Sequence, residues 1–351
     1  MRYLDTDTAK RISKIGLGTW QFGSEEWGYG DEYSKHRACA IVRRAVELGV
    51  TLFDTAEIYN AGNSERILGH ALGSRRESVF IADKIFPVTP GVTLMKQRAK
   101  ASAKRLGVSQ LDLYQVHYPN PVVSDRGIMR RMRAWQRAGL VTEVGVSNYS
   151  VERWQSAENA LGSRILSNQV QYNLADRSAE NDLLPFAETH DRIVIAFSPL
   201  AQGLLSGRYQ DANRPGDRVR ATSQHFRPES IERTKPLIGV LREIAEGHRA
   251  TPAQIALAWT IRHPFVAAIP GASSVEQVER NAAAAEISLS DDEYQALQTA
   301  SLRSRRTSRQ RSLVRRKLSE LKHCARGGRY LTETLWRDSF LKDSPAPDRQ
   351  G

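Results

Sequence analysis

Between residues 15 and 270 the chain alternates eight times between a short apolar run rich in Val, Ile and Phe and a longer stretch of helical periodicity. No other feature restricts the fold as much. A strand that feeds a helix and then a second strand makes a parallel pair with a right-handed crossover. The apolar runs fall at 15–17, 51–54, 79–83, 112–116, 143–146, 166–170, 192–197 and 266–269. Glycine follows three of the periodic segments: Gly49 after 36–48, Gly107 after 94–106 and Gly139 after 129–138. It is the residue that ends a helix in the left-handed conformation without a Cβ penalty. Eight such units favour a closed (β/α)8 barrel, an α/β fold, over an open doubly wound sheet, an alternative the pattern alone leaves open. The expected division is a barrel over 1–300 and a basic extension over 301–351, partly helical or disordered.

Composition enters at three points. With 40% apolar residues the chain can bury a sizeable core. It has no run of eighteen apolar residues and hence no expected membrane span, and the first ten residues carry Asp5 and Asp7 where a secretory signal needs a basic patch and an apolar segment. The two cysteines, Cys39 and Cys324, offer neither a disulfide framework nor a CxxC motif, which fits a reducing cytoplasm.

The net charge of +12 is uneven, since residues 301–351 hold 14 Lys and Arg against 5 Asp and Glu. The basic character therefore belongs mainly to the tail. Within 301–326, Val314, Leu318 and Leu321 at helical spacing describe a short basic amphipathic helix whose partner would be an acidic surface, nucleic acid or lipid. A solvated or loosely docked extension is the favoured reading, because no aromatic residues are interleaved with the charge. Leu331, Leu335, Trp336 and Phe340 indicate that part of the remainder packs against something.

One connection is abnormally long. Almost 70 residues separate the seventh strand from the eighth, and 202–228 is rich in Gly, Arg, Asp and Pro. Such an insertion reads as a binding loop, followed by helices at 236–246 and 251–263.

In a parallel barrel, reactive groups collect at the C-terminal ends of the strands. Strand two ends in Asp54, with Tyr59 five residues on in the loop; strand three runs into Lys84 and strand four into His117. A phenol is a poor acid at neutral pH, and an adjacent ammonium stabilises its phenolate. Lys84 would supply that charge, Asp54 would hold Lys84 oriented, and His117 would donate a hydrogen bond to a carbonyl oxygen. Singly, each residue has a packing explanation: a helix cap, a half-buried aromatic, a surface charge, a satisfied core histidine. Together, four ionisable groups at equivalent ends of neighbouring strands exceed what packing asks for.

The segments Gly16-Leu-Gly-Thr-Trp20, Phe53-Asp-Thr-Ala-Glu-Ile-Tyr59, Asp83-Lys84 and Leu111-Asp-Leu-Tyr-Gln-Val-His117 resemble the aldo-keto reductase family over roughly residues 12–295. The resemblance implies a catalytic tetrad of Asp54, Tyr59, Lys84 and His117, and reduction of an aldehyde or ketone by a nicotinamide cofactor with Tyr59 as proton donor. It implies a cofactor cleft whose near end includes Gly18, Thr19, Trp20 and Asp54. Ser147, Asn148 and Gln169 would hold the carboxamide, and Phe197 would stack on the ring. Ser198-Pro-Leu-Ala-Gln-Gly-Leu-Leu-Ser-Gly-Arg208 is similar to the pyrophosphate-embracing segment, with Ser198, Pro199, Leu200, Gly203, Ser206 and Arg208 in contact. Ile269-Pro-Gly-Ala-Ser-Ser-Val-Glu-Gln277 resembles the adenosine end, through Gly271, Ser273, Gln277, Arg280 and Asn281. Ser273 and Arg280 favour NADP(H) over NAD(H).

Two departures stand out. Arg280 is the nearest positive charge after strand eight, where some relatives carry a basic residue in the loop itself. Asp83 precedes the lysine where Thr or Ser is common, and it would compete with Asp54 only if it faced the same way. The small-molecule partner expected is a carbonyl compound. A cofactor-binding regulatory or scaffold subunit with little turnover is the alternative. No GxxxxGK[ST], HExxH or His/Cys cluster is present, and no metal is expected.

Overall fold

The computed structural model describes residues 1–22, 24, 36–87, 94–120, 124–209 and 215–305. Its strands are β1 (Leu17–Gly18), β2 (Leu52–Asp54), β3 (Phe80–Ile85), β4 (Leu111–Val116), β5 (Val141–Ser147), β6 (Ser167–Gln171), β7 (Ile193–Phe197) and β8 (Val266–Ala268). All neighbours pair in parallel and in sequence order, β1 through β8. The sheet closes on itself: Ile15 bridges Ala268 in parallel, the Gly16 amide donates to the Ala268 carbonyl (2.8 Å) and the Ala268 amide to the Lys14 carbonyl (2.8 Å). The (β/α)8 barrel expected from the alternation is the fold.

Helices α1 (Ala38–Glu47), α2 (Asn63–Leu72), α3 (Met95–Leu106), α4 (Asp125–Arg137), α5 (Val151–Leu161), α6 (Leu183–Thr189), α9 (Pro252–Thr260) and α10 (Val275–Ala283) surround it. Helix α9 is buried all round from Ile255 to Thr260, whereas α1 and α4 each bury one stripe. In α3 the stripe is Met95, Arg98, Ala99, Ser102, Ala103 and Leu106, the three-and-four spacing of a helix lying on a sheet. Gly49, Gly107 and Gly139 all adopt positive φ after their helices, as expected. Helix α9 starts with a capping box: Thr251 accepts from the Gln254 amide, and the Gln254 side chain accepts from the Thr251 amide.

Strand alternation splits the apolar residues into two clusters. Leu52, Phe80, Ala82, Leu113, Leu166, Ile193, Ile195 and Ala267 fill the barrel, while Ile81, Ile85, Tyr114, Val144 and Val194 meet the helices. Leu4 and Ile12 join the inner cluster from an N-terminal hairpin (Tyr3 pairs with Ser13), which covers the end where the strands begin. That hairpin was not foreseen, because its strands are single bridges too short to show alternation.

The long connection after β7 contains a one-turn helix α7 (Arg218–Ala221) and a long helix α8 (Pro228–Gly247). The expected span of the first helix here is 236–246. The helix instead begins at Pro228 and runs through Pro236. Helix α11 (Asp291–Arg305) packs across α8 and continues past the expected barrel end at 300. Its buried Tyr294, Leu297, Ala300 and Ser301 extend one stripe, and the Ser301 hydroxyl donates to the Leu174 carbonyl (2.6 Å). The expectations for a basic amphipathic segment and for Leu331, Leu335, Trp336 and Phe340 lie outside the described residues. Among the described residues no helix is long and apolar enough to cross a membrane.

Candidate active site

The barrel gathers the expected polar residues at the C-terminal ends of its strands. Asp54 ends β2, Lys84 lies in the last turn of pleat of β3, His117 follows β4, Ser147 ends β5, Gln169 is on β6 and Phe197 ends β7. Lys84 is wholly buried and points inward, on the same face of β3 as Phe80 and Ala82. Its ammonium donates to Asp54 Oδ1 (2.6 Å), to the Thr55 carbonyl (2.8 Å) and to the Tyr59 hydroxyl (3.3 Å). All three donor positions of the ammonium are therefore used. The other Asp54 oxygen accepts from Gln169 Nε2 (2.7 Å).

Burial raises the Asp54 carboxyl above its usual range, while the Lys84 ammonium and the Gln169 amide pull it back. The Tyr59 phenol is pushed well above its ordinary value, first by burial and then by the charge of Asp54. This direction is opposite to the acidic phenol expected from Lys84, and burial is its first cause.

Tyr59 sits on a strained loop. Asn60 (φ 46°) and Ala61 (φ 51°) both take left-handed backbone before α2, a conformation that costs non-glycine residues about 1–3 kcal/mol each. The His117 ring meets the Tyr59 ring edge-on at 5.7 Å and the Phe86 ring at 5.9 Å, and Tyr118 stacks on it at 5.0 Å. Trp20, 40% exposed, leans over Tyr59 with centroids 6.4 Å apart. Phe86 and Tyr118 were not foreseen. Two aromatics flanking the Lys84 and His117 positions were the available signal.

The other residues expected at the cofactor lie on β6 and at or after the ends of β1, β5, β7 and β8. The Ser147 hydroxyl donates to the Gln169 carbonyl (2.9 Å), and Asn148, in left-handed backbone, donates through Nδ2 to Ser147 Oγ (3.0 Å). Thr19 is buried and its hydroxyl donates to the Asp54 carbonyl (2.9 Å), so it braces Asp54 and does not line open space. At Gly18 a Cβ would lie 2.9 Å from the Ile269 carbonyl, too close for any side chain. After Phe197, the backbone at Ser198, Ala201, Gln202 and Gly203 is left-handed, turning 198–208 into a tight hook with Pro199 buried and Leu200 half-buried. Ser206 Oγ donates to the Gly203 carbonyl (2.7 Å), and Arg208 is exposed beyond it. Gly271 and Ser273 precede α10: the Ser273 amide donates to Gln277 Oε1 (2.9 Å), the Ser274 hydroxyl caps the helix, and Asn281 donates to the Gly271 carbonyl (3.3 Å). Arg280 is exposed on the same helix.

Asp83 faces away from Lys84, between β3 and helices α2 and α3. There it shares a buried compartment with Glu57, Glu65, Arg98 and Arg105. Glu57 is paired with Arg98 and Glu65 with Arg105, while neither Asp83 oxygen has a hydrogen-bond partner of normal geometry among the described residues. Three carboxyls against two guanidiniums leave one acid to carry a proton. Burial and then repulsion from Glu65 hold the Asp83 carboxyl well above its usual range, so the proton belongs there. An acid whose folded pKa is raised loses stability as pH rises from its unfolded value, about 3.9, through its folded one. Asp83→Asn is therefore expected to raise unfolding free energy at pH 8 by about 1–3 kcal/mol, with the gain vanishing towards pH 4. Denaturant melts at both pH values check this; a loss at pH 8 would mean that Asp83 is ionised.

Among the described residues no group of three or more His, Cys, Asp and Glu is arranged to hold a metal ion.

In enzymes built on a closed parallel barrel the active site lies at the C-terminal ends of the strands, where Asp54, Tyr59, Lys84 and His117 meet here. Comparison with known proteins makes the class specific. A model described as the aldo/keto reductase family matches residues 14–301, and the chain belongs to this family of oxidoreductases. An uncharacterised oxidoreductase of Mycobacterium tuberculosis is 55% identical over 322 residues, covering 91% of this chain and 99% of that protein. Methylglyoxal reductase YeaE of Escherichia coli is 33% identical over 295 residues, covering 82% and 91%. An aldo-keto reductase from Klebsiella pneumoniae, crystallised with NADPH, superposes with a TM-score of 0.68 at 31% identity, covering 85% and 95%.

Proposed function

We propose that the protein reduces aldehydes or ketones to alcohols using NADPH, with Tyr59 as the proton donor. The single observation that carries this reading is the Lys84 ammonium held 2.6 Å from Asp54 and 3.3 Å from the Tyr59 hydroxyl, beside the His117 ring. The raised phenol pKa suits that direction: Tyr59 holds its proton at neutral pH and releases it only when a stronger base, the alkoxide forming on the substrate, arrives. Lys84 then faces the phenolate oxygen and offsets its charge. The His117 imidazole offers a hydrogen bond to the carbonyl oxygen, and Asp54 keeps Lys84 in place. Alcohol oxidation needs the phenolate at the outset, so its rate is expected to climb with pH while the reduction rate falls; initial rates in both directions from pH 6 to 10 check this.

The donor chemistry fits a nicotinamide dinucleotide. Ser147, Asn148 and Gln169 present hydroxyl and amide groups suited to a carboxamide, and Phe197 presents a half-buried aromatic face. The hook at 198–208 and the capped start of α10 offer backbone amides and the cations Arg208 and Arg280 to phosphates. Gly18, Trp20, Gly271, Gln277 and Asn281 complete the expected contacts. When bound, the cofactor supplies hydride from C4 of its nicotinamide.

Fluorescence titration is expected to show tighter binding of NADPH than of NADH. Arg280→Ala should weaken NADPH about tenfold, roughly 1.4 kcal/mol, and leave NADH within about twofold. Equal losses for both cofactors would remove Arg280 from 2′-phosphate recognition. A screen of aldehydes and ketones then tests turnover; tight NADPH binding with no turnover on any of them would favour a cofactor-binding subunit.

A further inference from the structure

Three chain segments carry the reacting groups of the proposed mechanism, and each would be free to drift if held only at its strand. We propose that the buried Glu57–Arg98 pair is a positioning clamp, which sets Tyr59, Lys84 and His117 relative to one another by gripping the backbone of Phe86. This rests on the reading of Tyr59 as proton donor.

Glu57 lies two residues before Tyr59, and Phe86 two residues after Lys84. Glu57 Oε1 accepts from the Phe86 amide (2.6 Å), and Glu57 Oε2 accepts from Arg98 Nε (3.0 Å). Arg98 Nη2 bridges Glu57 Oε1 and the Phe86 carbonyl, the latter at 2.6 Å. Both backbone polar groups of Phe86 are thus held by one ion pair, whose side chains are only 2% and 3% exposed. The Glu57 amide also donates to the Lys84 carbonyl (3.3 Å), so the Tyr59 loop is tied to the lysine itself and to the residue two places beyond it.

The third segment joins at the same point. The Phe86 ring packs edge-on against His117, and Asn120, three residues after His117, donates through Nδ2 to the carbonyl of Pro87. Glu57 from the β2 loop, Arg98 from α3 and Asn120 from the β4 loop therefore converge on two consecutive residues. Burying a charged pair is a weak source of stability, since desolvation offsets most of the attraction. A pair in this position does more for geometry: a misplacement of about 1 Å among reacting groups lowers a rate about 100-fold. Neither Glu57 nor Arg98 touches the Tyr59 hydroxyl or the Lys84 ammonium among the contacts found, which makes them positioning residues.

The test uses Glu57→Gln, which keeps an acceptor for the Phe86 amide but loses the charge, and Arg98→Lys, which keeps the charge but loses the planar fork that holds both Glu57 oxygens, Oε2 through Nε and Oε1 through Nη2. Each is compared with the intact protein for kcat and KM on an active carbonyl, for NADPH affinity by fluorescence, and for the pH profile of kcat. The clamp predicts kcat lowered about 10- to 100-fold, NADPH affinity within twofold and a displaced alkaline limb. Unchanged kcat and pH profile in a folded variant, even with a lower Tm, would make the pair merely structural and overturn the proposal. If Glu57→Gln does not fold, Arg98→Lys decides alone. Tyr59→Phe is measured alongside: if it retains turnover, the proton-donor reading fails, whereas an inactive Tyr59→Phe with fully active clamp variants sinks the clamp only.

Discussion

Tyr59→Phe is expected to lower kcat for carbonyl reduction about 100- to 10,000-fold, the range contributed by a positioned general acid, while NADPH affinity stays within about twofold. The substitution removes one oxygen from a ring that is half-buried against Trp20 and His117, so the packing of the loop survives. What is lost is the only hydroxyl that the Lys84 ammonium reaches among the contacts described. Because the effect falls on a step after binding, kcat and kcat/KM should drop together. Steady-state rates and a cofactor titration on the same preparation separate the two; a Tyr59→Phe protein with undiminished kcat would remove the phenol from the mechanism.

Lys84→Met is expected to be as damaging, and to stability as well as activity. It leaves the Asp54 carboxylate, 4% exposed, with Gln169 as its remaining side-chain partner. Breaking a buried pair by removing one member costs about 3–5 kcal/mol, because the surviving charge is stranded without solvent. With Lys84 gone, the force that lowers the Asp54 pKa goes too, so the carboxyl rises further above its unfolded value. A raised folded pKa gives stability that is present at low pH and lost as pH rises. The gap between wild type and variant should therefore be widest near pH 8 and narrow towards pH 5, and Asp54→Asn combined with Lys84→Met should recover part of it. Urea melts at the two pH values check this. A gap that does not change with pH would show that Asp54 is not the stranded charge.

The barrel was legible because its repeat is written in local chemistry. Val- and Ile-rich runs, helical stripes and the glycines at 49, 107 and 139 each act over a few residues, and the structure keeps them all. The same locality explains the misses. The N-terminal hairpin holds a single bridge, and α8 runs through Pro236 because its buried face, Ile231 to Ile244, outweighs the missing amide. Helix α11 goes past Ala300 for the same reason, since Ser301 still has a carbonyl to meet in Leu174.

In the site, sequence alone placed Asp54, Lys84 and His117 at strand ends and Tyr59 in a loop beside them, because a parallel barrel sends every strand end to one face. It also carried one unread sign: Arg98 occupies the buried stripe of α3, where an arginine is rare unless paired. Three things were decided by tertiary structure. Asp83 turns outward from the barrel, burial holds the Tyr59 phenol up, and Glu57, Arg98 and Asn120 meet at Phe86 and Pro87. Each depends on which groups share a space emptied of water, and that sharing joins residues far apart in the chain, Glu57 and Arg98 across 41 positions, beyond the reach of any local pattern.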